Sequence, residues 1–151
     1  MWPAVWGREG RPEMGNVLVI DDNDAMHQLY RVALKQTGLR LLTARSGTEA
    51  LLVMGSHFPD VIVMDLAMPE MDGFQFLRLV REQPEWAKIP VIVVTAFCNG
   101  EDIKTTKDLG VIAHLVKADF SVKKLRAVIM EHLCPGAAAS AAASSPSANA
   151  A

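Results

Sequence analysis

Apolar and polar positions between residues 15 and 134 follow two alternating periods, and the switching between them predicts the fold. Val17-Leu18-Val19-Ile20, Val61-Ile62-Val63-Met64 and Val91-Ile92-Val93-Val94 are unbroken apolar runs, and Val111 to Val116 is a looser fourth. Short runs of this kind read as strands buried on both faces, the condition of a parallel sheet. With a fifth segment they predict strands near 16–20 (β1), 39–44 (β2), 60–64 (β3), 91–95 (β4) and 111–116 (β5).

Between the strands the period lengthens to that of a helix. Met26, Leu29, Tyr30 and Ala33 recur at i, i+3, i+4 and i+7, predicting a helix over 24–37 (α1) with Gly38 as its left-handed stop. Ser46-Gly47-Thr48-Glu49 opens the next helix (α2, from 46) as a capping box: Ser46 accepts the Glu49 amide and Glu49 reaches back to that of Ser46. Pro59 blocks its continuation. A third helix (α3, from 73) follows Asp72-Gly73, stacks Phe74, Leu77 and Val80 or Arg81 on one side, and ends before Pro84. Trp86, in the loop beyond, is expected to lie as a lid on the sheet end. The fourth helix (α4, 100–109) offers only Ile103, Leu109 and Thr106 to a core, which predicts a weak hold and an adjustable position. The fifth (α5, 121–133) places Val122, Leu125, Val128, Ile129 and His132 along one stripe. Five such alternations predict a parallel sheet with helices on both faces.

Composition narrows the class. With 151 residues, half of them hydrophobic, the chain suffices for one globular domain. Residues 1–14 lack periodicity and read as an extension, 15–134 as the domain, and 135–151, small and uncharged, as a disordered Ala/Ser-rich tail. A net charge of −2 without clustered Lys/Arg argues against nucleic acid as a partner. Cys98 and Cys134 have no metal-type spacing and read as reduced thiols. No apolar run approaches a membrane span, and the expected location is cytoplasmic.

The chemistry lies where the strands end. β1 runs into Asp21-Asp22, β3 into Asp65, β4 into Thr95 and β5 into Lys117. Ligands of open α/β sheets bind outside the carboxyl ends of the strands, so these groups converge on one face. Carboxylates about 5 Å apart repel by roughly 3–4 kcal/mol per pair at an effective dielectric near 20, and therefore require a cation. All-oxygen ligands suit Mg2+, which is usually shared with a phosphate. A lysine and a hydroxyl across the site supply what phosphoryl oxygens need, and a carboxylate can itself be the nucleophile. The constellation reads as phosphoryl transfer, with Asp65 the nucleophile because it terminates the central strand.

These residues, with the segment Met64-Asp65-Leu66-Ala67-Met68-Pro69-Glu70-Met71-Asp72-Gly73, resemble the receiver domain of bacterial response regulators of two-component systems over about residues 15–134. The resemblance implies a flavodoxin-like, doubly wound (βα)5 fold with strand order 2-1-3-4-5. It implies a signalling phosphoacceptor rather than a turnover enzyme: a histidine kinase or phosphotransfer protein donates a phosphoryl group to Asp65 with Mg2+ bound. Asp21, Asp22, Asp65 and the carbonyl of Ala67 hold the ion, and Thr95 and Lys117 contact the phosphoryl oxygens. The chain stops soon after α5, which predicts a stand-alone receiver whose output is docking, through the face formed by α4, β5 and α5, or relay.

Two positions depart from the family pattern. Ala118 follows Lys117 where relatives have a cis proline; because a non-proline cis bond costs about 2.5–4 kcal/mol, a trans Lys117–Ala118 peptide and an altered loop are expected. His114 stands where relatives place the Tyr or Phe whose rotation reports phosphorylation, and reads either as a strand histidine without a switching role or as a modified, pH-sensitive switch. Other classes fit less well. An EF-hand starting at Asp22 fails at Met26, His27 and Ala33, and a haloacid-dehalogenase-like phosphatase lacks the second acid, since Ala67 occupies its position. A receiver-like binding module indifferent to phosphorylation is the remaining alternative. Ala67 and Phe97 occupy the two positions that tune phosphate lifetime in the family, and neither orients a water by hydrogen bonding. Slow self-dephosphorylation is therefore predicted, and a phospho-Asp65 that decays within seconds in a stopped time course contradicts it.

Overall fold

The computed structural model describes residues 15–68, 71–96, 99–119 and 121–133, without the side chains of Asp119, His132 and Leu133. The elements are β1 (Asn16–Ile20), α1 (Asp24–Leu34), β2 (Arg40–Ala44), α2 (Gly47–Ser56), β3 (Val61–Met64), α3 (Gly73–Glu82), β4 (Val91–Thr95), α4 (Gly100–Asp108), β5 (Val111–Val116) and α5 (Val122–Leu133). All strands are parallel, in the order β2-β1-β3-β4-β5 expected for the doubly wound fold.

The period of two along each strand divides the core into two layers. Leu18, Ile20, Ile62, Met64, Val91 and Val93 face α2 and α3, while Val17, Val19, Val61, Val63, Ile92 and Val94 face α1 and α5. These strand residues are fully or almost fully buried, which accounts for runs too apolar for a sheet with one wet face. Trp86 packs part-buried against the first layer, as a lid would.

Several local expectations change. α1 stops at Leu34, three residues early: Thr37 Oγ1 donates to the Leu34 carbonyl (2.6 Å), and Gln36 (φ 64°) takes a left-handed turn before Gly38 (φ 83°) does. Ser46 accepts the Glu49 amide at 3.1 Å as predicted, but Glu49 accepts from the Arg45 amide (2.9 Å), one residue beyond the box. The complete capping box belongs to α3, where Asp72 accepts the Gln75 amide (2.9 Å) and Gln75 the Asp72 amide (3.3 Å). The face that α3 buries is Phe76, Leu77 and Val80, with Phe74 only part-buried. α4 is held as weakly as its composition predicts: Thr106 is its one buried residue, Ile103 and Leu109 being half-buried. In α5, Leu125 and Ile129 are buried, with Val122 and Val128 at their edge.

The close approach of α3 to the end of β3 depends on Gly73. Its amide donates to the Leu66 carbonyl at 2.9 Å, and a Cβ there would stand 2.7 Å from Leu66 Cα and 2.9 Å from its Cδ2. Since the backbone at Leu66 cannot yield as a flexible side chain would, Gly73→Ala is expected to destabilise the fold by about 1–3 kcal/mol in urea titration.

Candidate functional site

The sheet ladder continues one residue past two of its strands. Asp21 N–H donates to the Ala44 carbonyl (3.0 Å) and Asp65 N–H to that of Ile20 (3.1 Å), so both acids begin on the last rung of neighbouring strands. Their side chains are thereby fixed side by side at the carboxyl edge, 1% and 5% exposed. Thr95 ends β4 beside them, 3% exposed, and pairs in register with Val116, the residue before Lys117. The register sets Asp21 opposite Asp65, with Thr95 one residue and Lys117 two residues further along the same carboxyl edge.

Lys117 reaches back across the site. Its Nζ lies 2.8 Å from Asp65 Oδ2 and 3.0 Å from Asp21 Oδ2. The other oxygens are held by backbone: Asp21 Oδ1 accepts from the Asn23 amide (2.9 Å) and Asp65 Oδ1 from the Ala67 amide (3.0 Å). Burial works against the lysine's charge, but hydrogen bonds to Asp65 and Asp21 and the charges of both outweigh it, holding its pKa above the ordinary 10.5. Beneath the pair is Tyr30, 1% exposed; burial first, and then the charges of Asp21 and Asp65, push its phenol well above the usual range. The periodicity of α1 marked Tyr30 as core but not as a neighbour of the acids.

Asp22 is exposed, and its carbonyl accepts from Arg45 Nη2 (3.2 Å), while Arg45 Nη1 pairs with Asp24. Asn23, not Asp22, caps α1. Among the described residues no three of His, Cys, Asp and Glu form a ready metal cage, and Lys117 meets two of the carboxylates. A hard cation nevertheless suits the donor set: Asp21 Oδ2 is buried with the Lys117 ammonium 3.0 Å away as its counter-charge, a carboxylate oxygen that a hard ion could share, and Ala67 and Asp22 are exposed.

His114 is not part of this site. Its Nε2 is hydrogen-bonded to Thr106 Oγ1 on α4, and burial, then the charge of Lys107, lower its pKa. The Lys117–Ala118 peptide is trans, as expected, and continues into a short 3-10 turn over Lys117–Asp119. Phe97, Pro69, Cys98, Cys134 and the segments 1–14 and 135–151 lie outside the described residues, as does the His132 side chain.

The model of the response regulator receiver domain matches residues 17–130. The chain belongs to this family. Its receivers are signalling phosphoacceptors of two-component systems. The polar-differentiation response regulator DivK of Brucella abortus is 33% identical over 102 residues, 68% of this chain and 83% of DivK. Chemotaxis protein CheY4 of Vibrio cholerae superposes with a TM-score of 0.72 at 31% identity, over 78% of this chain and 98% of that one. The Mn2+-bound form of response regulator Rcp1 gives 0.67 at 25%, over 77% and 91%. Among the described residues of this receiver, no helix is long and apolar enough to cross a membrane.

Removing the shared cation would leave two buried carboxylates facing one another. Lys117→Met is expected to cost about 1–3 kcal/mol in urea titrations at pH 7. Because the folded state raises the lysine's pKa, this contribution is complete below its ordinary 10.5. It is lost as pH rises through the higher folded value, so the gap between wild type and variant should close in alkali.

Proposed function

We propose that this receiver accepts a phosphoryl group on Asp65 from a histidine kinase or phosphotransfer protein, in a Mg2+-dependent reaction, and signals by protein docking or relay. The observation that carries the reading is the meeting of Lys117 Nζ with Asp65 and Asp21 at 2.8 and 3.0 Å on a sheet edge. One carboxylate oxygen of Asp65 forms the bond to phosphorus as the donor's N–P bond breaks, and the donor imidazole retains that electron pair. The Ala67 amide on Asp65 Oδ1 orients the nucleophile. Lys117, already charged, follows the phosphoryl oxygens, with the Thr95 hydroxyl as second donor. A bound Mg2+, held by Asp21, Asp22, Asp65 and the Ala67 carbonyl, would neutralise charge on those oxygens; Rcp1, at 25% identity, has a Mn2+-bound form.

Docking is assigned to the α4–β5–α5 face, where α4 is least anchored, and the partner to a protein, since the chain's charge of −2 provides no basic footprint for nucleic acid. Intact-mass measurement after incubation with acetyl phosphate and Mg2+ should show one phosphoryl adduct in wild type, none in Asp65→Ala and none with excess chelator. An unmodified wild type would favour a binding module that ignores phosphorylation.

A further inference from the structure

The two ends of α4 are held in different ways. At its carboxyl end, Arg81 of α3 donates from Nε to the Leu109 carbonyl (2.7 Å) and from Nη2 to that of Gly110 (3.3 Å). The same guanidinium donates from Nη1 to the carbonyls of Ala87 (3.0 Å) and Ile89 (2.8 Å) before β4. One planar fork thus fastens the foot of α4 to the α3–β4 loop, and its rigidity means that the carbonyls it binds move together. Gly110 permits this approach: its φ is +84°, and a Cβ there would stand 3.0 Å from Arg81 Nη2.

Further toward the amino end, the side-chain hydrogen bond that ties α4 to another element among the described residues is made by Thr106. Thr106 is 0% exposed, and its hydroxyl lies 2.9 Å from the Asp102 carbonyl and 3.0 Å from that of Ile103. The same hydroxyl is hydrogen-bonded to His114 Nε2 on β5, the imidazole tautomer setting which of the two donates. The amino terminus of the helix is closed locally, by Asn99 accepting the Asp102 amide at 2.8 Å. Val116, two residues after His114 on β5, shares its face and is 39% exposed, so the position of α4 also bears on how far that apolar side chain is covered.

We propose that α4 is a lever, hinged at its foot by Arg81 and latched in its resting position by the hydrogen bond between His114 and Thr106. Breaking that one bond releases the amino-terminal half from β5 while the Leu109–Gly110 end stays in place. The device goes beyond the phosphoacceptor reading and does not depend on it, since it exists in the unmodified protein.

Hydrogen–deuterium exchange of the full, unphosphorylated chain tests it. Thr106→Val, nearly isosteric, and His114→Phe should each speed exchange across 100–106 by roughly three- to tenfold, the effect of one lost hydrogen bond. The double variant should add nothing further, Thr106→Ser should behave as wild type, and β1 and β3 should be unaffected. Arg81→Met should instead speed exchange at 107–110 and in the loop over 86–89. Unchanged exchange over 100–106 in Thr106→Val, or a double variant equal to the product of the singles, would overturn the latch. Unchanged exchange at 107–110 in Arg81→Met would overturn the hinge.

Discussion

Two carboxylates that the sheet places side by side can stay buried only because one lysine meets them both. Asp21 and Asp65 are carried on the last rungs of adjacent strands, where the backbone ladder leaves their side chains little freedom to separate. Lys117 follows β5, with β4 between its strand and that of Asp65, and it stands two residues beyond the level of Asp65, from where its long side chain reaches back over the edge. The register of Thr95 against Val116 fixes that offset. Like charges in a poorly solvated place would otherwise repel by several kcal/mol, and the site would open or take up protons. The arrangement is thus poised for a second cation and an anion: the lysine already neutralises what a metal would share, and it sits where phosphoryl oxygens would arrive.

The rest of the molecule divides into a rigid part and a part left loose. β1, β3 and β4 are buried on both faces, and α1, α3 and α5 are anchored by core side chains, so the acids are carried on elements held by two buried layers. Elements packed in this way change little without a cavity or clash. On the other side of Lys117, α4 contributes one buried residue, a threonine, and relies on directed hydrogen bonds instead of apolar area. Such bonds break singly where packing yields only collectively, which makes this flank the part of the fold able to move at small cost.

Much of this was legible in the sequence because it depends on local periods and on strand ends. A run such as Val61-Ile62-Val63-Met64 has to be a doubly buried strand, the residue after it has to lie at the sheet edge, and five repeats with right-handed crossovers leave few windings. The weakness of α4 was readable in the same way, from its lack of apolar residues. Tertiary structure decided what depends on neighbours far apart in the chain. That Lys117 bridges Asp21 and Asp65 while Asp22 stays exposed with its carbonyl on Arg45, that Tyr30 lies beneath the acids, and that His114 turns to Thr106 rather than to the site all follow from side-chain reach across strands and helices. Period and composition report which face a residue takes, but not which distant partner meets it there; that depends on register and packing, which come into being only when the sheet closes.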